Sequence, residues 1–167
     1  LVQAAARLRE GGDEVHLVFA GGDKGGRAHV EKITLQLGLQ GQVHFLGFVP
    51  VGHMSALYEA CRAVVMPTYF GPTNLPPLEA WTHGKPLVYS RHLAAQASGA
   101  ALLVDPDSAQ EIAQVLSCLL RSDELTHWTV RGQARLAQLA TERELAVSEL
   151  AQRIALFGLR RECWGAE

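Results

Sequence analysis

Short apolar runs alternate with stretches of helical spacing from the start of the chain to Pro106. Five runs have strand character and occupy residues 14–22, 42–49, 62–67, 85–90 and 100–106. Helical spacing fills residues 26–37, 53–60 and 75–83, and it also opens the chain, where Leu1, Ala5 and Leu8 share one face. The strand runs are continuously apolar, which is typical of parallel strands covered on both faces. The pattern therefore predicts an α/β fold built on a parallel sheet.

The pattern becomes wholly helical after Pro106. A capped amphipathic helix is expected first, with four apolar side chains turned inward: Ile112, Val115, Leu116 and Leu119. Two more helices are predicted over about residues 125–139 and 142–157. No repeat or linker interrupts the chain, so we expect one domain over residues 1–167, with the sheet within about 1–106 and a helical tail over about 107–167.

Composition narrows the kind of partner. A chain of 167 residues that is 48% hydrophobic and 19% charged has enough apolar material for one core. Its net charge of -2 provides no basic field for nucleic acid, so a small molecule is the expected partner. The cysteines and histidines show no metal-ligand spacing, and no apolar run is long enough to cross a bilayer. We expect no metal site and a place in the reducing cytoplasm.

Ligands of an open parallel sheet bind at the carboxyl ends of its strands. The first such loop, AGGDKGG, places four glycines around Asp23 and Lys24, and backbone without side chains can approach a phosphate closely. It matches no established phosphate-binding pattern, and a surface turn is the alternative. The second loop, GFVPVGH, offers backbone amides and a turn stiffened by Pro50 after a buried strand, and an ordinary connection is the alternative.

The third loop, within MPTYFGPTNLPPLEAWTHGKPLVYS, is stiffened by prolines. If a helix starts near Leu75, Pro76 and Pro77 fill its first turn, where a missing amide costs nothing. The free amides then cluster at residues 73–75, at the positive end of the helix dipole, which suits an anion. Glu79 lies one turn deeper and can accept hydrogen bonds from ligand hydroxyls. The sequence therefore predicts a nucleotide site, and the alternative is a structural turn with a solvated Glu79.

The same segment resembles the donor-binding motif of the retaining glycosyltransferases of the GT-B fold known as group 1 or family 4. The matching positions are Pro67, Leu75, Pro76, Leu78, Glu79, Ala80, Gly84, Pro86 and Val88. The segments LVQAAARL, VFAGG, VHFLGFV, LYEACRAVVMPT and GAALLVDPDSAQEIAQVL are similar, in the same order, to successive elements of that family's C-terminal domain. The resemblance implies a Rossmann-like parallel sheet with helices on both faces and a C-terminal helical tail.

The resemblance also implies a set of donor-binding residues: Gly21, Gly22, Val49, Gly71, Pro72, Thr73, Asn74, Leu75 and Glu79. Glu79 matches the glutamate that binds the donor ribose, and residues 73–75 match the amides that hold the diphosphate. Val49 lies where the backbone receives the base, while Gly21 and Gly22 face the phosphates. The family needs no metal, so no cofactor is expected beside the nucleotide-diphosphate sugar itself.

The chain departs from the family pattern in two respects. Gly71 stands where the family has the first glutamate of its pair, so the catalytic residue is unassigned, and Thr73, Asn74 or backbone are candidates to replace it. The chain also opens on Leu1 in the middle of a helical pattern. By the resemblance, the first strand of the domain and the acceptor-binding N-terminal domain are expected to be missing from it.

The expected function is transfer of a sugar from a nucleotide-diphosphate sugar to a glycan or lipid-linked acceptor, with retention of configuration. A non-catalytic sugar-nucleotide-binding module is one alternative, because of Gly71, and an epimerase of the same fold is another. The helical tail is expected to pack on the missing N-terminal domain. Peripheral contact of the full-length enzyme with the inner face of the cytoplasmic membrane is the alternative for this tail.

Overall fold

The computed structural model describes residues 1–71, 75–121 and 124–163, the side chains of residues 161–163 excepted. The helices are α1 (Val2–Glu10), α2 (Arg27–Gln36), α3 (Val51–Ala60), α4 (Leu75–Thr82), α5 (Ala94–Ala97), α6 (Ala109–Arg121) and α7 (Glu124–Cys163). The strands are β1 (Leu17–Ala20), β2 (Val43–Gly47), β3 (Val64–Met66), β4 (Leu87–Ser90) and β5 (Leu102–Val104). A 3-10 turn, Arg91–Leu93, connects β4 to α5.

All five predicted strands are present and all their pairings are parallel, which confirms the predicted fold class. The strands form two sheets within the described residues, one with the order β1-β2 and the other with the order β3-β4-β5. Val88 of β4 pairs with Val65 on one side and with Leu102 on the other. By contrast, each of the other four strands has one strand neighbour among the described residues, so both sheets have edge strands on either side.

Helix α1 joins the two sheets through its small side chains. Ala4 and Leu8 are buried in a cluster with Val88 of β4 and with α6. Val2 and Ala5 are buried in a second cluster with β1 and β2. Ala5 and Leu8, which the sequence predicts on one face of a helix, are both buried. Alanines suit this position because they let the helix approach both sheets closely at little cost in side-chain entropy.

A third cluster forms around Trp81 of α4, whose indole Nε1 donates a hydrogen bond to the carbonyl of Ala100 at 3.1 Å. Helix α7 crosses this indole at Gly132, where a Cβ atom would lie 2.4 Å from Cδ1 of Trp81. Glycine inside a helix normally costs about 1 kcal/mol relative to alanine. Here it allows α7 to pack directly on α4.

The expectation that the strands are covered on both faces is wrong for β1 and β2. Both α1 and α2 pack on the face that carries Leu17 and Val43. The opposite face is exposed, with Val18 at 48% and Leu46 at 49% of their full accessibility. Of the five strands in the described residues, β4 alone is buried at every position. An apolar run alone cannot distinguish these two cases, because it does not tell on which faces helices will lie.

The helical tail agrees with the prediction as far as α6, in which Ile112, Leu116 and Leu119 are buried. The two helices predicted after it are wrong, because one continuous helix, α7, covers both. Residues 139–142, between the two predicted helices, contain no proline or glycine that would end a helix. The Arg135 guanidinium also donates a hydrogen bond to Oε1 of Glu142 at 2.9 Å, which connects the two predicted segments. Every side chain in residues 141–160 is exposed.

Candidate functional site

The carboxyl ends of the parallel strands lie at one edge of each sheet, and the loops after β1 and β2 are joined there. The amide of Gly21 donates to the carbonyl of Gly47 at 2.8 Å. Both residues have positive φ values, +127° for Gly21 and +65° for Gly47, which favour glycine. The predicted phosphate-facing turn and the predicted base-binding loop are therefore neighbours.

The glycine loop is held in shape by its own aspartate. The Asp23 carboxylate accepts hydrogen bonds from the amide of Gly25 at 2.7 Å and from the amide of Arg27 at 3.3 Å. These bonds lower the pKa of Asp23, so the loop keeps its carboxylate charged. The amides of Gly21, Gly25 and Arg27 are thus committed to protein partners. Space remains beside Gly21 and Gly22, where a Cβ atom would meet nothing within 4 Å.

The loop after β2 leads directly into α3. Val49 is half-buried, and Pro50 precedes the first residue of the helix with extended backbone angles. Phe48 and Val51 on either side are exposed to 81% and 86%. No side chain of α3 is buried, so this loop and its helix lie on the surface of the domain.

The loop after β3 is fixed by the ends of the two strands beside it. Ser90 Oγ donates to the carbonyl of Thr68 at 2.6 Å, and Gln96 Nε2 donates to the carbonyl of Gly71 at 3.0 Å. The Tyr69 hydroxyl donates to a carboxylate oxygen of Asp107, beyond β5. Gly71 is therefore held by its backbone, in the position where the family pattern has a glutamate side chain.

The predicted donor-binding residues Pro72, Thr73 and Asn74 lie outside the described residues, so the expected amide cluster remains a prediction. Their C-terminal neighbour, Leu75, begins α4 and is exposed to 63%. The first turn of α4 contains Pro76 and Pro77, as expected from the sequence. A helix therefore begins at Leu75, after the loop of β3, as the sequence predicts.

Glu79 is exposed on α4 and is hydrogen-bonded to a residue that the sequence analysis did not single out. The Tyr58 hydroxyl of α3 donates to Oε2 of Glu79 at 2.7 Å. The Tyr58 ring also stacks on His83, with ring centroids 5.1 Å apart and an angle of 6° between the planes. Burial is the largest cause that raises the pKa of Tyr58, and the hydrogen bond to Glu79 is the next. The hydroxyl therefore stays protonated and remains a donor.

Exposed apolar side chains surround these loops, and the sequence analysis missed them as a group. They are Phe48 and Val51 after β2, Tyr69 and Phe70 after β3, and Leu75 at the start of α4. Large exposed apolar side chains that come from several loops at one edge commonly mark a binding surface. The segment TYFG was the available signal, because two adjacent aromatics outside a strand have no core to fill.

The remaining candidates for polar chemistry lie elsewhere. His16 and His44 are hydrogen-bonded to each other at 2.9 Å on the exposed face of β1 and β2. Among residues 1–71, 75–121 and 124–163, no group of three or more His, Cys, Asp or Glu side chains is arranged to hold a metal ion. In the same part of the chain, no helix has the length and apolar character to cross a membrane.

Comparison with solved structures defines the class of this fold. The chain superposes on sucrose-phosphate synthase from Thermosynechococcus elongatus with a TM-score of 0.76 and 21% identity, over 95% of this chain and 42% of that one. It superposes on Anabaena HepE in complex with UDP with a TM-score of 0.74 and 23% identity, over 91% of this chain and 44% of that one. The fold is that of the C-terminal domain of GT-B glycosyltransferases.

Residues 1–122 match the family of glycosyl transferases group 1, and the chain belongs to that family. Among the curated relatives, O-antigen chain mannosyltransferase B of Escherichia coli is 33% identical over 106 residues, which are 62% of this chain and 28% of that protein. The chain thus corresponds to less than a third of the mannosyltransferase. The resemblance read from the motif around Glu79 is confirmed.

Proposed function

We propose that the chain is the donor-binding part of a group 1 glycosyltransferase, which transfers a sugar from a nucleotide-diphosphate sugar to a glycan or lipid-linked acceptor with retention of configuration. The observation that carries the proposal is the position of Glu79. Its side chain is exposed one turn inside α4, the helix that follows the loop of β3. Anabaena HepE, which has the same fold, was solved in complex with UDP, and this supports a nucleotide as the ligand.

In this proposal, different residues bind the ribose, the base and the diphosphate of the donor. Glu79 accepts hydrogen bonds from the ribose hydroxyls, and the backbone around Val49 contacts the base. The N-terminal end of α4, with the amides of residues 73–75, receives the diphosphate, because the helix dipole and free amides favour an anion there. Gly21 and Gly22 have no side chains and leave open space for the phosphates. The diphosphate charge is thus assigned to backbone and dipole, without a metal.

Gly71 supports a second candidate, a non-catalytic sugar-nucleotide-binding module. The family pattern has a carboxylate at this position, and the Gly71 carbonyl is instead held by Gln96. A side-chain carboxylate that could stabilise charge on the sugar is therefore lacking at that point. The two candidates share the nucleotide site and differ in whether transfer follows.

The partner of the donor site is proposed to be the acceptor-binding domain of the same protein. The exposed apolar residues around the site and the exposed second half of α7 provide the surfaces for it. Both carry large apolar side chains, and α7 has charges of both signs between them, which suits contact with protein. A vesicle-binding measurement on the complete enzyme tests the alternative, a membrane surface.

Calorimetric titration of the chain with UDP and GDP tests the donor site. We expect weak binding of at least one of them, and Glu79→Gln should weaken it by about 1.5–3 kcal/mol, the usual contribution of a hydrogen bond to a charged group. Glu59→Gln, on exposed α3, is the matched control and should bind as the unchanged chain does. Absence of binding at millimolar nucleotide, or equal affinity of the Glu79 variant, would overturn the proposal.

Transfer itself is tested with the complete enzyme. A screen of nucleotide sugars identifies the donor, and the anomeric configuration of the product, measured by NMR, tests retention. Nucleotide binding without transfer to any acceptor or to water would favour the binding module.

A further inference from the structure

Helix α3 is attached to the domain in an unusual way. None of its side chains is buried. Within the described part of the chain, two polar contacts hold its C-terminal half against the region of α4: the bond from Tyr58 to Glu79, at 2.7 Å, and a bond from Lys85 Nζ to the carbonyl of Glu59, at 2.8 Å. The stacking of Tyr58 on His83 adds an aromatic contact. Tyr58 therefore connects α3 to α4 through the carboxylate assigned to the ribose.

The bond from Tyr58 leaves the Glu79 carboxylate able to bind a ligand. A carboxylate has two oxygens and about four positions at which it can accept. Among the described residues, Glu79 receives one hydrogen bond, at Oε2, and its side chain is exposed. Oε1 therefore remains available for a hydroxyl donor, while the Oε2 bond restricts how the carboxylate can rotate.

We propose that Tyr58 is a positioning residue that holds the Glu79 carboxylate in the orientation that accepts the ribose hydroxyls. This inference rests on the proposed function of Glu79. An exposed glutamate samples many rotamers, and ordering it on binding reduces affinity. Tyr58 provides that order before the nucleotide arrives, because its hydroxyl remains a donor and its ring is fixed against His83.

The position of Tyr58 also connects two parts of the donor site. It lies on the helix that begins at Val51, directly after the loop assigned to the base. A ribose seated on Glu79 and a base seated at residues 49–51 therefore contact elements that Tyr58 fastens together. The prediction is that loss of this hydroxyl affects recognition of the ribose while the fold is kept.

The experiment compares a ribonucleotide with its counterpart that lacks the ribose hydroxyls. Whichever of UDP and GDP binds is titrated beside its 2′,3′-dideoxy form, using the unchanged chain, Tyr58→Phe, Glu79→Gln and the double variant. Phenylalanine retains the ring that stacks on His83 and removes only the donor. We expect Tyr58→Phe to lower affinity for the ribonucleotide about two- to tenfold, the range of one net hydrogen bond, and to leave the dideoxy form unchanged.

Two comparisons separate positioning from a structural effect. The double variant should bind as Glu79→Gln alone does, because Tyr58 acts through that carboxylate. Lys85→Met removes the bond from Lys85 to the carbonyl of Glu59 and leaves the contact of Tyr58 with Glu79 in place. It should not change the ratio of the affinities for the ribonucleotide and the dideoxynucleotide. An equal loss for both nucleotides in Tyr58→Phe, or the same change of ratio in Lys85→Met, would show that Tyr58 only supports α3.

The outcomes also separate this inference from the proposed function. If Glu79→Gln abolishes the preference for the ribonucleotide and Tyr58→Phe leaves it intact, the role of Tyr58 is wrong and the donor site stands. If the unchanged chain binds no nucleotide, or does not prefer the ribose form, both are overturned. Circular dichroism and thermal melting of each variant confirm that the comparison is between folded proteins.

Discussion

Gly132 and Trp81 are in direct contact, since a Cβ atom on Gly132 would lie 2.4 Å from the indole Cδ1. Trp81 cannot move aside easily, because it is buried and its Nε1 is bonded to the carbonyl of Ala100. Gly132→Ala should therefore destabilise the domain: overpacking costs about 1–3 kcal/mol, which exceeds the gain in helix propensity of about 1 kcal/mol. Thermal or urea unfolding measures the change.

The same helix offers the matched control. Gly158 lies in the exposed half of α7, and a Cβ atom there would meet nothing within 4 Å. Gly158→Ala should leave stability unchanged or raise it slightly. Equal effects of the two substitutions would mean that α7 does not pack on Trp81.

The pair formed by Asp13 and Arg121 predicts a pH dependence of stability. Asp13 follows α1, and its carboxylate accepts hydrogen bonds from Arg121 and Ser117 of α6, each at 2.8 Å. Both hydrogen bonds lower the pKa of Asp13, and the bond from Arg121 has the larger effect. The carboxylate therefore contributes stability that is complete above its ordinary pKa, near 3.9, and is lost as pH falls through the lower pKa of the folded state.

Replacing Asp13 with Asn should reduce stability at neutral pH and flatten the acid part of the stability curve. Urea unfolding between pH 7 and pH 3 measures both effects. Glu149→Gln is the control, since it removes an exposed ion pair with Arg153 within α7 and should change stability by about 0.5 kcal/mol or less. An Asp13 variant with an unchanged acid slope would contradict the prediction.

Pro76 should contribute to the affinity for a diphosphate by stiffening the start of α4. Pro76→Ala keeps the helix, because alanine is a good helix former, but adds a competing amide and loosens the turn. We expect weaker or slower binding of nucleoside diphosphate, measured by calorimetry and stopped flow. Pro77 is buried, so replacing it as well would also cost packing.

Pro106→Ala serves as the control for Pro76→Ala, because Pro106 is half-buried, as Pro76 is, and lies outside α4. Its affinity for nucleotide should equal that of the unchanged chain. Identical binding by Pro76→Ala and Pro106→Ala would show that stiffness in this turn does not contribute to affinity.

Gly71→Glu should not increase sugar transfer by the complete enzyme. Restoring the carboxylate of the family pattern leaves the loop anchored by Gln96 and Tyr69, and residues 72–74 still differ from that pattern. Transfer or donor hydrolysis by the two proteins measures the effect. A clear gain in turnover would indicate that Gly71 marks a decayed catalytic site, and would favour the binding module.

The sequence predicted those parts of the structure that depend on local pattern. Each strand was located because five short apolar runs are separated by helical spacing. The start of α4 was located because, within a helix, Pro76 and Pro77 are tolerated together only in the first turn. Glu79 was found through its spacing from that turn. The break predicted in α7 was wrong because the polar residues there form a bond along the helix instead of ending it.

Features that depend on contacts between distant segments could not be predicted in the same way. Tyr58 is 21 residues from Glu79, and no periodicity connects them. His16 and His44 are 28 residues apart and meet only because β1 and β2 pair in parallel register. The uncovered face of these strands likewise follows from the placement of two helices on the opposite side.

The unbroken course of α7 has a consequence for the shape of the molecule in solution. A helix of 40 residues is about 60 Å long, and its exposed residues 141–160 account for about 30 Å of that length. Small-angle scattering of the chain should therefore show a maximum dimension well above that of a sphere of the same mass. A partner that covers residues 141–160 would add mass with little increase in the maximum dimension. Scattering can therefore detect when this part of α7 is covered.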